Sequence, residues 1–171
     1  MKILLSEEQI RERVLDLAEV IAKDSNTKKL HVIFVLKGAF IFCSDLVRSL
    51  SRHQIDITLD YIVAKSYVGT ESSGDFKLLV DVDIEGKEVL IVEDIIDTGK
   101  TILRLKEKLI RKQPASLKVV CLLDKPARRE VDVSGDYVGF EIEDEFVVGY
   151  GLDCDEKYRY LPFISKMEES D

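Results

Sequence analysis

The stretch that decides the fold, VLIVEDIIDTGKT, runs from Val89 to Thr101. It opens with four apolar residues, which is typical of a strand buried on both faces of a parallel sheet. Two adjacent carboxylates, Glu93 and Asp94, end this run, and Asp97 begins an Asp-Thr-Gly-Lys-Thr turn. Backbone N–H groups of such a turn, with the N-terminus of a following helix, can bind a phosphate. The stretch therefore predicts an anion site beside three acids.

The ending Gly-Lys-Thr also belongs to the phosphate loop of nucleoside triphosphatases. That motif requires a glycine five positions before Gly99, where this chain has Asp94. A carboxylate there would repel the phosphates, so we exclude this class. Because Glu93 and Asp94 are neighbours in a strand, we expect their side chains to point to opposite sides and not to form an acid/base pair. Magnesium or the hydroxyl groups of a sugar would suit both acids.

The rest of the chain alternates between the two kinds of periodicity. A capping box, Ser6 with Gln9, predicts a helix that runs to about Lys23. Further strands are predicted at 30–36, 55–67, 76–82, 117–124, 137–144 and 146–153, and further helices at 39–50 and 102–112. This alternation predicts an α/β fold of one domain, residues 1–171, with a mainly parallel twisted sheet flanked by helices. In such sheets ligands bind beyond the carboxyl ends of the strands.

Composition limits the classes of function. The net charge of −8 argues against a general nucleic-acid binder, which needs basic surface to neutralise phosphates. No apolar run is long enough to span a membrane, and the N-terminus has no pattern of a signal peptide, so we predict a cytoplasmic protein. The three cysteines, Cys43, Cys121 and Cys154, lie far apart without a Cys-x-x-Cys pair, which disfavours disulfides and zinc.

The stretch VLIVEDIIDTGKT resembles the phosphoribosyl pyrophosphate motif of phosphoribosyltransferases. Four other segments are similar, in the same order, to hypoxanthine-guanine phosphoribosyltransferases: LKG (36–38), KSY (65–67), LLDKPARR (122–129) and FVVGYGLDCDEKYR (146–159). The resemblance implies the type I phosphoribosyltransferase fold, with a small hood formed by the N- and C-terminal segments. It also implies transfer of 5-phosphoribosyl from phosphoribosyl pyrophosphate to hypoxanthine or guanine, which gives IMP or GMP and pyrophosphate, with Mg²⁺ as cofactor.

The resemblance assigns a role to each matching residue. Phosphoribosyl pyrophosphate would be bound by Lys37, Gly38, Glu93, Asp94, Asp97, Thr98, Gly99, Lys100, Thr101 and Arg159. The purine would be bound by Lys125, Phe146, Val147 and Asp153, and Mg²⁺ by Glu93, Asp94 and Asp153. Asp97 would be the general base for the purine N7 proton. Ser66 and Tyr67 would begin a lid loop, and the Leu36–Lys37 peptide is one that can be cis in the family, which the sequence leaves open.

Several alternatives stay open at this level. Lys125 would contact O6, which hypoxanthine, guanine and xanthine share, so a xanthine-preferring enzyme is possible. An RNA-binding regulator built on the same fold is the alternative without catalysis, although the acidic net charge disfavours it. Phe146, judged by the sequence alone, would belong to the core. The family also implies a homodimer or a homotetramer.

Overall fold

The computed structural model describes residues 1–63 and 82–167. The strands of this part are β1 (Lys2–Leu5), β2 (Lys29–Leu36), β3 (Asp56–Val63), β4 (Glu88–Ile96), β5 (Ser116–Asp124), β6 (Tyr137–Glu141), β7 (Val147–Val148) and β8 (Ile164–Lys166). The helices are α1 (Glu7–Asp24), α2 (Phe40–Leu50) and α3 (Lys100–Ile110). Five strands form a parallel sheet in the order β3-β2-β4-β5-β6. The predicted α/β fold with a parallel sheet is confirmed.

The central strands are buried on both faces, because each face is covered by helices. In β4, Leu90 and Val92 belong to the apolar cluster that includes α1 and α2. Val89 and Ile91 belong to a second cluster, which includes α3. Two-sided burial is the reason why these strands read as continuous apolar runs.

The predicted helix boundaries are close to the observed ones. Ser6 caps α1 by accepting from the Gln9 N–H, and the Gln9 side chain accepts from the Ser6 N–H at 2.9 Å. This satisfies two of the N–H groups that a helix start leaves without partners. Helix α3 begins at Lys100, two residues earlier than predicted, directly after Gly99, whose φ is 85°. The N-terminus of α3 therefore adjoins the Asp97–Thr101 turn.

A second sheet forms the predicted hood. It has three antiparallel strands in the order β1-β8-β7, so the two ends of the chain meet in it. The strand predicted over 146–153 is wrong beyond Val148. The chain turns there because Gly149, Tyr150 and Gly151 all have positive φ, which no strand permits.

Some predictions lie outside the described residues: those for Ser66, Tyr67 and the lid loop that they would begin, and for most of the strand 76–82. Cys43 and Cys121 are buried. In the part of the chain that the structure describes, no helix has the length and apolarity to cross a membrane. The interpretation of residues 1–171 as one domain stays a prediction.

Candidate functional site

The candidate site lies at the carboxyl ends of β2 and β4, where the strand order reverses. The chain leaves β2 for α2, which packs on one face of the sheet, and leaves β4 for α3, which packs on the other. A crevice opens between two such connections. A cavity of about 360 Å³ occupies this position. Its lining includes Gly38, Glu93, Asp94, Asp97, Thr98, Gly99, Thr101, Asp153 and Arg159 among the predicted site residues.

The Asp97–Thr101 turn is held against the segment that follows Lys125. The Thr98 carbonyl accepts from the Glu130 N–H at 3.0 Å. A Cβ added to Gly99 would lie 2.6 Å from Val133 Cγ1, so a side chain has no room there. Lys100 pairs with Glu130 and does not line the cavity. The turn therefore presents hydroxyl groups and the N-terminus of α3 to the cavity, and together these groups suit a phosphate.

Glu93 and Asp94 interact with each other, contrary to the expectation that their side chains would diverge. The Asp94 N–H donates to Glu93 Oε1 at 3.2 Å. Before this pair, the even-numbered apolar residues of β4 pack with the α1/α2 cluster and the odd-numbered ones with the α3 cluster. The alternation is interrupted at the pair, because the odd-numbered Ile95 packs with the α1/α2 cluster. Burial, and next the charge of Asp94, raise the pKa of the Glu93 carboxyl. A cation or a set of hydroxyl donors would relieve this repulsion.

Gly38 joins the β2 loop to the acids of β4. The Leu36–Lys37 peptide before it is cis, a geometry that the sequence left open. A Cβ added to Gly38 would lie 1.6 Å from Asp94 Oδ2. On its other side, a Cβ added to Gly151 would lie 2.0 Å from the Gly38 carbonyl oxygen. Three segments distant in sequence thus meet where neither glycine can carry a side chain.

The loop after β7 places Arg159 beside the acids. Arg159 Nη1 donates to the Gly151 carbonyl at 2.7 Å, and Nη2 lies 2.8 Å from Asp153 Oδ1. Among the described residues, the buried Arg159 Nε has no hydrogen-bond partner. Lys37 does not line the cavity and instead pairs with Glu156, with 2.9 Å between Nζ and Oε2. Two cationic side chains therefore flank one end of the cavity.

The carboxylates fit a magnesium ion only in part. Both oxygens of Asp153 are engaged, one with Arg159 and the other with the Glu156 N–H at 2.9 Å. Over residues 1–63 and 82–167, no three His, Cys, Asp or Glu side chains cluster as metal ligands. Glu93 and Asp94 alone suit Mg²⁺, which binds one or two protein carboxylates and completes its shell with water and phosphate oxygens. Asp153 as a metal ligand stays a prediction.

Of the four predicted purine residues, Asp153 lines the cavity, whereas Lys125, Phe146 and Val147 do not. Lys125 is 7% exposed, and its Nζ lies 4.0 Å from Asp144 Oδ1. Its N–H donates to the Ile96 carbonyl at 3.0 Å, which fixes the end of β5 next to the end of β4. Phe146 is 57% exposed, so its interpretation as a core residue is wrong. Val147 is buried in β7.

Three residues beside the site, Arg128, Arg129 and Asp144, carry no predicted role. Arg129 pairs with the buried Asp124 and donates to the carbonyls of Ile96 and Asp97. Arg128 Nε donates to Asp97 Oδ1 at 3.1 Å and lies 3.6 Å from Asp144 Oδ1. The arginine pair in LLDKPARR was the available signal, since two adjacent cations three and four positions after a predicted oxo-binding lysine favour acidic partners nearby.

Comparison with known proteins agrees with this geometry. Residues 2–155 match the family model of the phosphoribosyl transferase domain. The hypoxanthine-guanine phosphoribosyltransferase of Aquifex aeolicus is 45% identical over 173 residues, which cover 99% of this chain and 96% of the relative. The one of Streptococcus thermophilus is 43% identical over 171 residues, which cover 98% and 93%.

Solved structures give the same result. A hypoxanthine-guanine phosphoribosyltransferase from Bacillus anthracis superposes with a TM-score of 0.90 and 50% identity over 98% of this chain and 99% of its own. The hypoxanthine phosphoribosyltransferase of Trypanosoma cruzi superposes with a TM-score of 0.92 and 42% identity over 98% and 91%. The chain therefore belongs to the phosphoribosyltransferase family.

Proposed function

We propose that this protein transfers 5-phosphoribosyl from phosphoribosyl pyrophosphate to hypoxanthine or guanine, giving IMP or GMP and pyrophosphate, as an enzyme of purine salvage. The single observation that carries the proposal is the cavity in which the Asp97–Thr101 turn and the Glu93–Asp94 pair stand side by side. The relatives named for this activity support the choice of substrates.

The phosphate side of the donor would be bound by the turn. The N-terminus of α3 and the hydroxyls of Thr98 and Thr101 donate to the 5-phosphate. Lys37 and Arg159 lie where they can contact pyrophosphate, once the ion pairs with Glu156 and Asp153 are exchanged for phosphate oxygens. An arginine suits this exchange because its planar fork matches phosphate as well as carboxylate.

The ribose would be held by the two acids of β4. Glu93 and Asp94 accept from the ribose hydroxyls, directly or through Mg²⁺. When bound, Mg²⁺ offsets charge on the pyrophosphate that leaves. The raised pKa of Glu93 supports a cation here, because a positive charge would favour the ionised carboxylates over their mutual repulsion.

The base would be selected by Lys125. Its ammonium group can only donate hydrogen bonds, so it suits the O6 of a 6-oxopurine. The 6-amino group of adenine would leave this buried ammonium without an acceptor. Phe146 offers an exposed ring for stacking, and the Val147 backbone and Asp153 would bind the far edge of the base. Asp97 would accept the proton from N7.

Nucleotide formation from phosphoribosyl pyrophosphate and Mg²⁺, with hypoxanthine, guanine, xanthine and adenine compared side by side, tests the proposal. We expect turnover of the first two and none of adenine. Xanthine as the best substrate would change the assigned base, and a folded protein that turns over none of the four would refute the enzyme in favour of a binding protein. Asp97→Asn should lower kcat about a hundredfold, with a smaller effect on the KM for phosphoribosyl pyrophosphate; unchanged kcat would remove the base role.

Three further expectations stay predictions. Ser66 and Tyr67 would begin a lid that excludes water during transfer. A homodimer or a homotetramer is expected, and sedimentation would distinguish the two; the Trypanosoma cruzi enzyme has been studied for the effect of its C-terminal region on oligomeric state. A cytoplasmic location agrees with cysteines that are all free.

A further inference from the structure

Two neighbouring arginines donate hydrogen bonds to different groups of Asp97. Arg129 Nη1 donates to the Asp97 backbone carbonyl at 2.6 Å. Arg128 Nε donates to the Asp97 carboxylate, at 3.1 Å from Oδ1. The backbone of Asp97 is thus fixed by one arginine, and its side chain by the next.

Arg128 Nε lies near a second carboxylate as well. The same nitrogen is 3.6 Å from Asp144 Oδ1. The same oxygen of Asp144 is 4.0 Å from Lys125 Nζ. A chain of alternating charges therefore runs from Asp97 through Arg128 and Asp144 to the lysine proposed to select the purine.

This chain contributes little to the stability of the fold. The side chains of Arg128 and Asp97 are 47% and 42% exposed, and that of Asp144 is 57% exposed. Exposed ion pairs of this kind contribute little to the free energy of unfolding. What the contact does supply is orientation, because a bond to one carboxylate oxygen fixes the direction of the other.

We infer that Arg128 is a positioning residue for Asp97. It binds Oδ1 and leaves Oδ2 to face the N7 proton of the purine. The inference rests on the proposed function, in which Asp97 is the base. In that step the N7–H bond breaks and the proton passes to Oδ2, while the electron pair stays on the ring. The ring nitrogen N9 bonds to ribose C1′, and the C1′–O bond breaks with its electron pair leaving on pyrophosphate.

Asp144 also helps to hold Arg128 in place. When Asp97 becomes neutral, its attraction for the guanidinium falls, whereas the Asp144 carboxylate beside Arg128 still attracts it. The guanidinium therefore stays paired throughout the step, and Asp97 can return its proton to water after the products leave. Asp144 also lies beside Lys125. It therefore links the position of Asp97, which accepts the proton, to that of Lys125, which recognises O6.

The test is a double-mutant cycle of Arg128→Gln and Asp97→Asn, with hypoxanthine as acceptor. We expect Arg128→Gln alone to lower kcat about tenfold, with the KM for phosphoribosyl pyrophosphate changed less than about twofold, because only the proton acceptor is misplaced. In the Asp97→Asn background the same substitution should lower kcat no further. Arg128→Lys keeps the charge but loses the planar fork, and should recover part of the rate.

The controls separate this inference from its premise. Arg11→Gln removes an exposed arginine that is paired with Glu8 on α1, and should leave kcat unchanged. Equal losses from Arg128→Gln in both backgrounds, or no loss in either, would overturn the positioning role while leaving Asp97 as the base. An Asp97→Asn variant with the parent kcat would instead overturn the proposed function of Asp97. Thermal unfolding of each variant identifies a loss that comes from misfolding.

Discussion

Gly38→Ala is the sharpest test of how the site is assembled. An added Cβ would lie 1.6 Å from Asp94 Oδ2 and 2.6 Å from Asp94 Cγ, and Cβ contacts below 3.0 Å essentially never occur. The carboxylate must therefore move by at least the difference, 3.0 − 1.6 = 1.4 Å. A displacement of about 1 Å in a catalytic group can cost about a hundredfold in rate.

The loss should fall on function and not on the fold. The atoms in the way belong to a side chain, which can rotate, so we expect the free energy of unfolding to fall by less than about 1 kcal/mol. We expect kcat/KM for phosphoribosyl pyrophosphate to fall about a hundredfold. Steady-state kinetics measures the second quantity and urea unfolding the first. Gly86→Ala is the matched control, because nothing lies within 4 Å of its added Cβ and its φ of 69° adds only local strain far from the site.

A second background identifies the cause. In Asp94→Ala the obstructing carboxylate is absent, so Gly38→Ala should add no further loss of kcat/KM. A Gly38→Ala protein with parent kinetics would refute the geometry on which the ribose site is built. A further loss in the Asp94→Ala background would show that the glycine acts through another neighbour.

Three more substitutions follow from the same geometry. Glu93→Gln should abolish most of the activity yet stabilise the metal-free protein by about 1 kcal/mol at neutral pH. Because the pKa of Glu93 in the folded protein is raised above the ordinary 4.5, this gain in stability should vanish below pH 4.5 and grow as the pH rises. Urea unfolding at several pH values would measure it. Lys125→Ala should raise the KM for hypoxanthine about ten- to a hundredfold with little change for phosphoribosyl pyrophosphate, and equal changes in both would contradict its role. Arg129→Gln should destabilise by about 3 kcal/mol because it strands the buried Asp124, whereas the neighbouring Arg128→Gln should unfold like the parent; equal unfolding of all three proteins would be the contrary result.

Local signals in the sequence were sufficient for the framework. The capping box at Ser6 located the start of α1, and the apolar run before Glu93 located β4, because both signals are properties of adjacent residues. The five-residue Asp97–Thr101 turn likewise lies between a strand and a helix, as its sequence indicates. Such short patterns can be recognised in the sequence because they do not depend on contacts between distant segments.

What the sequence did not reveal depends on contacts between distant segments. The need for glycine at positions 38 and 151 arises only when their loops meet. The interaction of Glu93 with Asp94 follows from an interruption of strand alternation that no periodicity predicts. The contact of Arg128 with Asp97 spans 31 positions, and its partner could have been any acid near the strand ends.

Under the proposed function, the order of the strands would largely separate the handling of the two substrates. Most groups proposed for the donor follow β2 and β4, although Arg159 follows β7. The lysine proposed for the acceptor follows β5, and Phe146 and Val147 lie at the hood. A combinatorial library restricted to the surroundings of Lys125 and Phe146 would thus retain the donor chemistry while sampling new heterocycles. The Arg128–Asp97 contact joins these two groups of residues. Any such change of base specificity must therefore preserve this contact.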